Sequence, residues 1–206
     1  MSDNKRWLNE HFRDIYVKKA KQEGYPSRAA YKLLEMHNKD HLLKPGMVVI
    51  DLGAAPGGWS KIAREIVGER GLVVAVDVLP VIAAPGVEVI QGDFNEATVQ
   101  AEVFQRIQTR TKKDTVDLVI SDMAPNITGQ KSIDQPRSLH LVELAWQCAQ
   151  EILRPGGTFV VKIFQGEGVD LLLKEWRWRF QSVKIRKPQS SRARSSEMYV
   201  VAQGLR

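Results

Sequence analysis

The chain has 206 residues, of which 43% are hydrophobic and 26% are charged, and its formal net charge is +6. A chain of this size can fill one hydrophobic core, so we expect a single domain over residues 1–206. One cysteine excludes an intramolecular disulfide, and the histidines show no metal-ligand spacing, so we predict no metal site. No charge-free apolar run approaches the roughly 20 residues of a membrane span, which predicts a soluble, cytoplasmic protein without a membrane partner.

The first 45 residues are basic, with ten Lys or Arg against six Asp or Glu. Apolar residues from Trp7 to Ala20 recur near helical spacing, and Gly24 ends the pattern. A second helical pattern follows and stops at "KPG", residues 44–46. We therefore predict a basic, helical N-terminal segment over residues 1–45.

Short β-rich runs alternate with helix-compatible stretches from residue 46 onward. The runs are "MVVIDLG", "LVVAVDV", "VEVIQGD", "VDLVISD" and "GTFVVKIF", and the stretches between them are 59–67, 96–108 and 137–153. Continuous apolar character predicts strands buried on both faces, in a parallel sheet with helices on either side. Two further runs, "SVKIRKP" and "EMYVVAQG", predict an antiparallel hairpin at one edge. The fold class is therefore α/β, with a mostly parallel seven-stranded sheet and an antiparallel C-terminal strand.

The loop "DLGAAPGGWS", residues 51–60, lies where the first strand turns into the next helix. Glycines there let a ligand approach the backbone, and a helix N-terminus offers free N–H groups. The loop lacks the second glycine of G-x-G-x-x-G and the Gly-Lys-Ser/Thr of a phosphate loop, which disfavours a pyrophosphate ligand. A tight turn without a ligand remains the alternative at this point.

Acidic residues close several of the predicted strands. Asp77 ends the second strand, 20 residues after Gly57, where an acid can accept hydrogen bonds from both hydroxyls of a ribose. Asp93 follows the third strand and could meet an adenine amino group, and Asp122 follows the fourth. With Asp51, four strand ends carry acids at the edge where open α/β sheets bind ligands. A single such Asp is more often a turn former, but four favour an adenosine-containing cofactor.

Lys162 lies inside an apolar strand, in "GGTFVVKIFQGEG". An ammonium group in such a position is costly unless it has a partner. Lys162 should face the same edge as Asp122, and Glu197 joins them there if the final strand runs antiparallel. A structural salt bridge is one interpretation; the other is a lysine that takes a proton from an alcohol.

The motifs of this chain closely resemble those of the FtsJ/RrmJ family of S-adenosylmethionine-dependent ribosomal RNA 2′-O-methyltransferases. The resemblance covers roughly residues 10–204, and its motifs are "SRAAYKL", "DLGAAPGGWS", "QGDF", "SDMAPN", "PGGTFVVKIFQGEG" and "KPQSSRARSSEMYVVA". It implies a Rossmann-like methyltransferase fold whose cofactor-binding and catalytic core is residues 46–206. Differences from the family pattern, such as "GQKSIDQPRS" at 129–138, are interpreted as lying in a loop and concern details of substrate contact.

The resemblance also implies the site residues. The family's Lys-Asp-Lys-Glu tetrad corresponds to Lys32, Asp122, Lys162 and Glu197. Spacing alone does not indicate Lys32. The implied cofactor is S-adenosyl-L-methionine, with S-adenosyl-L-homocysteine as product and no metal. Its implied contacts are Gly57, Trp59, Asp77, Asp93 and Asp122.

The implied substrate is a uridine ribose in the A-loop of 23S ribosomal RNA, within the large ribosomal subunit, and we expect a monomer. Basic residues flanking the site would hold phosphates; they are Lys18, Lys19, Lys21, Arg28 and the run from Lys184 to Arg194. Tyr31 or Trp7 could stack on a base, with core packing as the alternative. Two rival functions stay open. One is a methyltransferase of the same fold acting on another RNA, a protein or a small molecule; the other is a catalytically silent RNA-binding module.

Overall fold

A computed structural model of the chain describes residues 15–166, 168–192 and 195–206. Its centre is one seven-stranded sheet in the order β3-β2-β1-β4-β5-β7-β6. The strands are β1 (Val48–Leu52), β2 (Leu72–Asp77), β3 (Val87–Gln91), β4 (Val116–Ser121), β5 (Leu153–Phe164), β6 (Phe180–Arg186) and β7 (Glu197–Leu205). Strands β1 to β5 pair in parallel, and β7 runs antiparallel to β5 and β6. The predicted α/β fold class is confirmed.

Helices cover both faces of this sheet, as the continuous apolar strands predict. They are α1 (Ile15–Gln22), α2 (Ala30–Asp40), α3 (Gly58–Val67), α4 (Ala97–Thr111), α5 (Lys131–Ile152) and α6 (Val169–Arg179). Helices α2 and α3 pack on one face, and α4, α5 and α6 pack on the other. In β1, Val49 belongs to the first core and Ile50 to the second, because successive side chains point to opposite faces.

The C-terminal strands form the predicted antiparallel pair, and β7 lies between β5 and β6 rather than at the edge. Tyr199 to Ala202 of β7 are completely buried, whereas Ile185 of the edge strand β6 is 43% exposed. The β5–β7 register sets Lys162 opposite Tyr199 and Phe164 opposite Glu197. The start of β7 therefore lies beside the end of β5.

Helix α5 begins at Lys131, six residues before the predicted start at 137. The predicted stretch begins directly after Pro136, a residue that lacks a backbone donor. Here Pro136 lies within the first two turns, where it removes one intrahelical bond. The Asp134 carboxylate secures this end by accepting bonds from the backbone N–H groups of Thr128 and Gly129 and from the Thr128 hydroxyl. These three contacts hold residues 128–129 against the first turn of α5.

The N-terminal segment is helical where it is described, in α1 and α2. Trp7 and the other predicted helical residues before Ile15 lie outside the described residues. Tyr31 is 3% exposed, its ring lies 5.5 Å from that of Tyr16, and its hydroxyl donates to Glu23. Tyr31 thus packs in the protein, which is the alternative to base stacking. In the described ranges, no helix is long and apolar enough to cross a bilayer.

Candidate active site

A cavity of about 650 Å³ opens at the carboxyl edge of the parallel strands. Its wall includes three predicted cofactor residues, Asp77, Asp93 and Asp122. Gly53, which directly follows β1, has φ +74° and lies so close to Met123 that a Cβ there would meet the methionine side chain at 2.5 Å. The backbone after β1 can make this approach only because the residue is a glycine.

Asp77 and Asp93 already make backbone hydrogen bonds at the cavity. The Asp77 carboxylate accepts from the N–H groups of Ala55 and Leu79, each at 2.8 Å. Oδ1 of Asp93 accepts from the backbone N–H of Asn95 at 2.9 Å and from its side-chain amide at 3.0 Å. Each carboxylate oxygen has two lone pairs, so both side chains can accept further bonds from a ligand.

Gly57 and Trp59, the other two predicted cofactor residues, lie off the wall of this cavity in the part of the chain that the structure describes. Gly57 caps α3 with φ +112°, and a Cβ there would meet the carbonyl oxygen of Ile82 at 2.6 Å. Trp59 is 2% exposed, and its indole N–H donates to the carbonyl of Ala29 at 2.7 Å. Gly57 therefore shapes the loop of residues 51–60, and Trp59 packs in the core, away from the cavity wall.

Asp51 differs from the other strand-end acids because it lies within β1 and is completely buried. The Ser60 hydroxyl donates to its Oδ2 at 2.5 Å, while Oδ1 has no partner. Burial, with smaller contributions from the negative charges of Asp122 and Asp77, raises the pKa of Asp51 to about 7. The sequence analysis placed Asp51 with the acids that face a ligand. In the structure its side chain is buried, whereas Asp77, Asp93 and Asp122 line the cavity.

Lys162 and Asp122 form a close pair beside the cavity. The ammonium nitrogen of Lys162 lies 2.8 Å from Oδ1 of Asp122 and 2.8 Å from its main-chain oxygen. Lys162 is 8% exposed, so the pair is largely removed from water. An ammonium group inside an apolar strand is costly unless it has partners. The two oxygens of Asp122 are those partners for Lys162.

Lys32 and Glu197 form a second pair next to the first. The ammonium nitrogen of Lys32, on α2, lies 2.8 Å from Oε1 of Glu197, the first residue of β7. Lys32 is 9% exposed. All four residues of the implied tetrad therefore belong to one cluster at this edge.

Tyr199 connects the two pairs, and the sequence analysis missed it. Its hydroxyl donates to Oδ1 of Asp122 at 2.6 Å and accepts from the ammonium group of Lys32 at 3.1 Å. Burial and the carboxylates of Asp122 and Glu197 raise the pKa of Tyr199 far above its usual value. One signal was present: Tyr199 is two residues after Glu197, so both side chains point to the same face of β7.

The basic run from Lys184 to Arg194 is partly structural. Lys184 and Arg186 bind the buried carboxylate of Asp40 at 3.3 and 2.7 Å. Lys187 donates to the carbonyl oxygens of Ser195 and Glu197. Arg194 lies outside the described residues, and phosphate binding by this run stays a prediction, which concerns Arg192 among the described residues.

Glu35 of helix α2 and Arg28, just before that helix, contact the loop that contains Gln189 and Ser190. Glu35 accepts bonds from the backbone N–H groups of Gln189 and Ser190, and Arg28 donates to the carbonyl of Ser190. The charge of Arg192 is one of the causes that lower the pKa of Arg28, after burial, so the two guanidinium groups lie near each other. Positive charge therefore borders the cluster. Within residues 15–166, 168–192 and 195–206, no group of three or more His, Cys, Asp or Glu could hold a metal ion.

The fold and the site together define a Rossmann-like methyltransferase. The parallel strands end at a cavity whose acids suit a nucleoside, and a buried lysine–carboxylate cluster borders the cavity. The FtsJ-like methyltransferase family model matches residues 25–205. The chain belongs to the FtsJ-like methyltransferase family.

Individual relatives agree with this assignment. The ribosomal RNA large subunit methyltransferase E of Coxiella burnetii (strain RSA 493 / Nine Mile phase I) is 59% identical over 98% of this chain and 95% of that protein. The protein of the same description from Hahella chejuensis is 54% identical over 98% of this chain and 96% of its own length. A Plasmodium falciparum crystal structure described as a ribosomal RNA methyltransferase has a TM-score of 0.75 and 28% identity, covering 88% of this chain and 98% of that one.

Proposed function

We propose that the chain transfers a methyl group from S-adenosylmethionine to the ribose 2′-hydroxyl of a uridine in the A-loop of 23S ribosomal RNA, in the large ribosomal subunit. The observation that carries the proposal is the pairing of Lys162 with Asp122 and of Lys32 with Glu197, side by side at the cofactor edge. The relatives described as ribosomal RNA large subunit methyltransferases support the choice of substrate.

The cavity suits the adenosine half of S-adenosylmethionine. Asp77 ends β2 and has lone pairs left for the two ribose hydroxyls, and Asp93 follows β3 with an oxygen for the adenine amino group. Asp122 lies on the cavity wall and also holds Lys162, so it joins the cofactor site to the cluster. Gly57 and Trp59 would act indirectly, by holding the shape of the loop from residue 51 to 60.

The lysines would prepare the RNA hydroxyl. When bound, S-adenosylmethionine supplies an activated sulfonium methyl group, so the residues of the chain have to orient the 2′-hydroxyl and remove its proton. Lys162 is the proposed base: its amine would take the hydroxyl proton as the new oxygen–carbon bond forms and the carbon–sulfur bond of the sulfonium breaks, leaving S-adenosylhomocysteine as the product. Lys32 would keep positive charge near the reacting oxygen, and Asp122 and Glu197 would orient the two lysines.

We infer that residues 1–206 act as one methyltransferase domain, as a monomer, in the cytoplasm where ribosomal subunits are found. Arg28 and Arg192 border the cluster and would contact phosphates of the RNA. Sedimentation of the purified chain at several concentrations tests the monomer.

The experiment that tests the function compares three acceptors in parallel. Large ribosomal subunits, free 23S ribosomal RNA and an unrelated protein are incubated with the chain and S-adenosylmethionine carrying a labelled methyl group. Label in RNA supports the proposal. When the acceptor RNA comes from a strain that lacks the gene for this chain, mapping the methylated nucleotide identifies the base and the 2′ position. Label in the protein alone, or at a base atom of the RNA, would overturn it.

A further inference from the structure

The donor and acceptor roles of the Tyr199 hydroxyl are fixed by its two partners. The carboxylate of Asp122 can only accept a hydrogen bond and the ammonium group of Lys32 can only donate one. The single proton of the Tyr199 hydroxyl therefore points to Oδ1 of Asp122, at 2.6 Å, and a lone pair points to Lys32, at 3.1 Å. The hydroxyl therefore links the two ion pairs by accepting a hydrogen bond from Lys32 and donating one to Asp122.

This link is held firmly. Tyr199 is completely buried, and its ring lies 5.5 Å from the ring of Trp59 on α3. Burial, then the charges of Asp122 and Glu197, keep the pKa of Tyr199 far above neutral, so the hydroxyl stays protonated across the working range. The hydroxyl is therefore a permanent donor to Asp122.

The donor changes what Asp122 offers to Lys162. Oδ1 of Asp122 receives Lys162 at 2.8 Å and Tyr199 at 2.6 Å, so one oxygen is shared by two donors. A carboxylate that accepts a second strong hydrogen bond carries less available charge for the first partner. Removing the tyrosine hydroxyl would leave Oδ1 to Lys162 alone and would strengthen the hold on the lysine proton.

We propose that Tyr199 is a positioning residue: by sharing Oδ1 of Asp122 and linking it to Lys32, it sets the pH at which the lysine–carboxylate cluster releases the proton that methyl transfer requires. The inference rests on the proposed function. It adds to that function a residue that is meant to act through Asp122 and Lys32, not by touching the RNA.

Every charged group around the lysine–carboxylate cluster affects the titration of that cluster. The charged groups are Asp51 in β1, Asp122 after β4, Lys162 in β5, Glu197 in β7 and Lys32 in α2. Arg28 lies near Glu197, and Arg192 lies near Arg28. Because these groups interact, a change at Tyr199 appears in the titration of the whole cluster. The measured quantity is thus the midpoint of a pH profile.

Tyr199→Phe removes the hydroxyl and keeps the ring against Trp59. We expect the midpoint of the rise of kcat with pH to move up by about one unit, and the rate at pH 7 to fall about tenfold. The affinity for S-adenosylmethionine should stay within about twofold, since the hydroxyl is not on the cavity wall. The control is Tyr25→Phe, which removes a hydroxyl bonded to Glu65, away from the cluster, and should leave the profile unchanged.

A second measurement separates this inference from the proposed function. The titration of Lys162 is followed by carbon-13 NMR of labelled lysine side chains in the free protein, with its signal assigned by its loss in Lys162→Ala. An upward shift in Tyr199→Phe supports the inference without any RNA. An unchanged or lower midpoint, in either measurement, overturns it. Where wild type and Tyr25→Phe methylate RNA and the Tyr199→Phe profile coincides with theirs, the inference alone fails.

A third arm covers a Tyr199→Phe variant that does not fold. A fluorinated tyrosine placed only at position 199 keeps the ring and makes the hydroxyl a stronger donor. Oδ1 of Asp122 would then be more fully engaged, and the midpoint should move down, opposite to the change in Tyr199→Phe. A midpoint that stays constant, or rises, with the fluorinated residue contradicts the inference.

Discussion

Lys162 and Asp122 meet because β4 and β5 run in parallel with Ser121 opposite Val161. Each of the two residues directly follows one member of that pair, so they come side by side at the edge of the sheet. The lysine nitrogen lies 2.8 Å from both the carboxylate Oδ1 and the main-chain oxygen of Asp122. The backbone register therefore fixes the proposed base.

Replacing Lys162 tests whether this fixed group takes the proton. Lys162→Ala should reduce single-turnover methyl transfer by about 10²–10⁴-fold, the usual contribution of a positioned base. Lys162→Arg should fail similarly, because a guanidinium group keeps its proton. Affinity for S-adenosylmethionine, measured by calorimetry, should change little in both variants, since the loss belongs to the transition state.

Lys174→Ala is the matched control, because Lys174 is an exposed lysine on α6. It should behave like the wild type. If Lys162→Arg kept a rate near that of the wild type, Lys162 would serve an electrostatic or structural role, and water or another group would have to accept the proton.

Asp77 is the residue on which cofactor affinity should depend most directly. Asp77→Ala should weaken S-adenosylmethionine binding by about 1–3 kcal/mol, because two ribose hydroxyls would lose their acceptor. The same change removes the acceptor for the N–H groups of Ala55 and Leu79, so part of the loss would come from the loop. Isothermal calorimetry on the folded variant gives the affinity.

Asp77→Asn is the milder change, because it replaces only one of the two oxygens that accept from Ala55 and Leu79. The amide keeps one acceptor oxygen and nearly the same shape, so it should lose less affinity than the alanine variant. Equal affinity in wild type and Asp77→Ala, with the fold intact by circular dichroism, would remove Asp77 from the cofactor site.

Arg192 should contribute to the salt dependence of RNA binding. A cation that meets a phosphate releases counterions, so the logarithm of affinity falls with the logarithm of salt concentration. Arg192→Ala should flatten that slope by roughly one unit, and a double variant with Arg194→Ala by roughly one to two units. Filter binding at several salt concentrations gives the slopes.

Arg186→Ala is the comparison within the same basic run. Arg186 binds the buried carboxylate of Asp40, whose pKa it lowers, mainly through their hydrogen bonds. Its loss should reduce the free energy of unfolding by about 2 kcal/mol or more and leave the salt slope nearly unchanged. A flattened slope in Arg186→Ala with none in Arg192→Ala would reverse these assignments.

Much of the fold was predictable because each strand carries a strong local signal. A completely buried parallel strand such as Val48–Leu52 reads as a continuous apolar run, and helices fill the intervals. Two features were not predictable. The start of α5 depends on bonds from the 128–129 loop to Asp134, and the inner position of β7 depends on long-range pairing with β5.

The candidate site divides in the same way. The strand-end acids and Lys162 could be inferred because a parallel sheet collects them at one edge. Lys32 comes from α2, and nothing local indicates that its side chain crosses to β7, so only the family resemblance indicated it. In the sequence, Tyr199 looks like an ordinary buried strand residue. Its hydroxyl bonds to Asp122 and Lys32, which are 77 and 167 residues away in sequence.

The carboxyl group of Asp51 should make stability depend on pH. Its pKa is raised to about 7 in the folded state, mainly by burial, against about 3.9 in an unfolded chain. The folded state therefore binds more protons than the unfolded state between these two values. It follows that the contribution of Asp51 to stability falls as pH rises from about 4 to about 7 and stays constant above that range.

Asp51→Asn isolates this contribution, because the amide oxygen can still accept the bond from Ser60 and carries no charge at any pH. Urea unfolding of both proteins at pH 4.5 and pH 7.5 gives the difference in unfolding free energy at each pH. Between those pH values the wild type should lose several kcal/mol, on the order of 3–4, relative to the variant. All other groups titrate in both proteins and cancel in the comparison. If the two proteins changed in parallel, Asp51 would be ionised in the folded state, and a further partner for its carboxylate would have to exist.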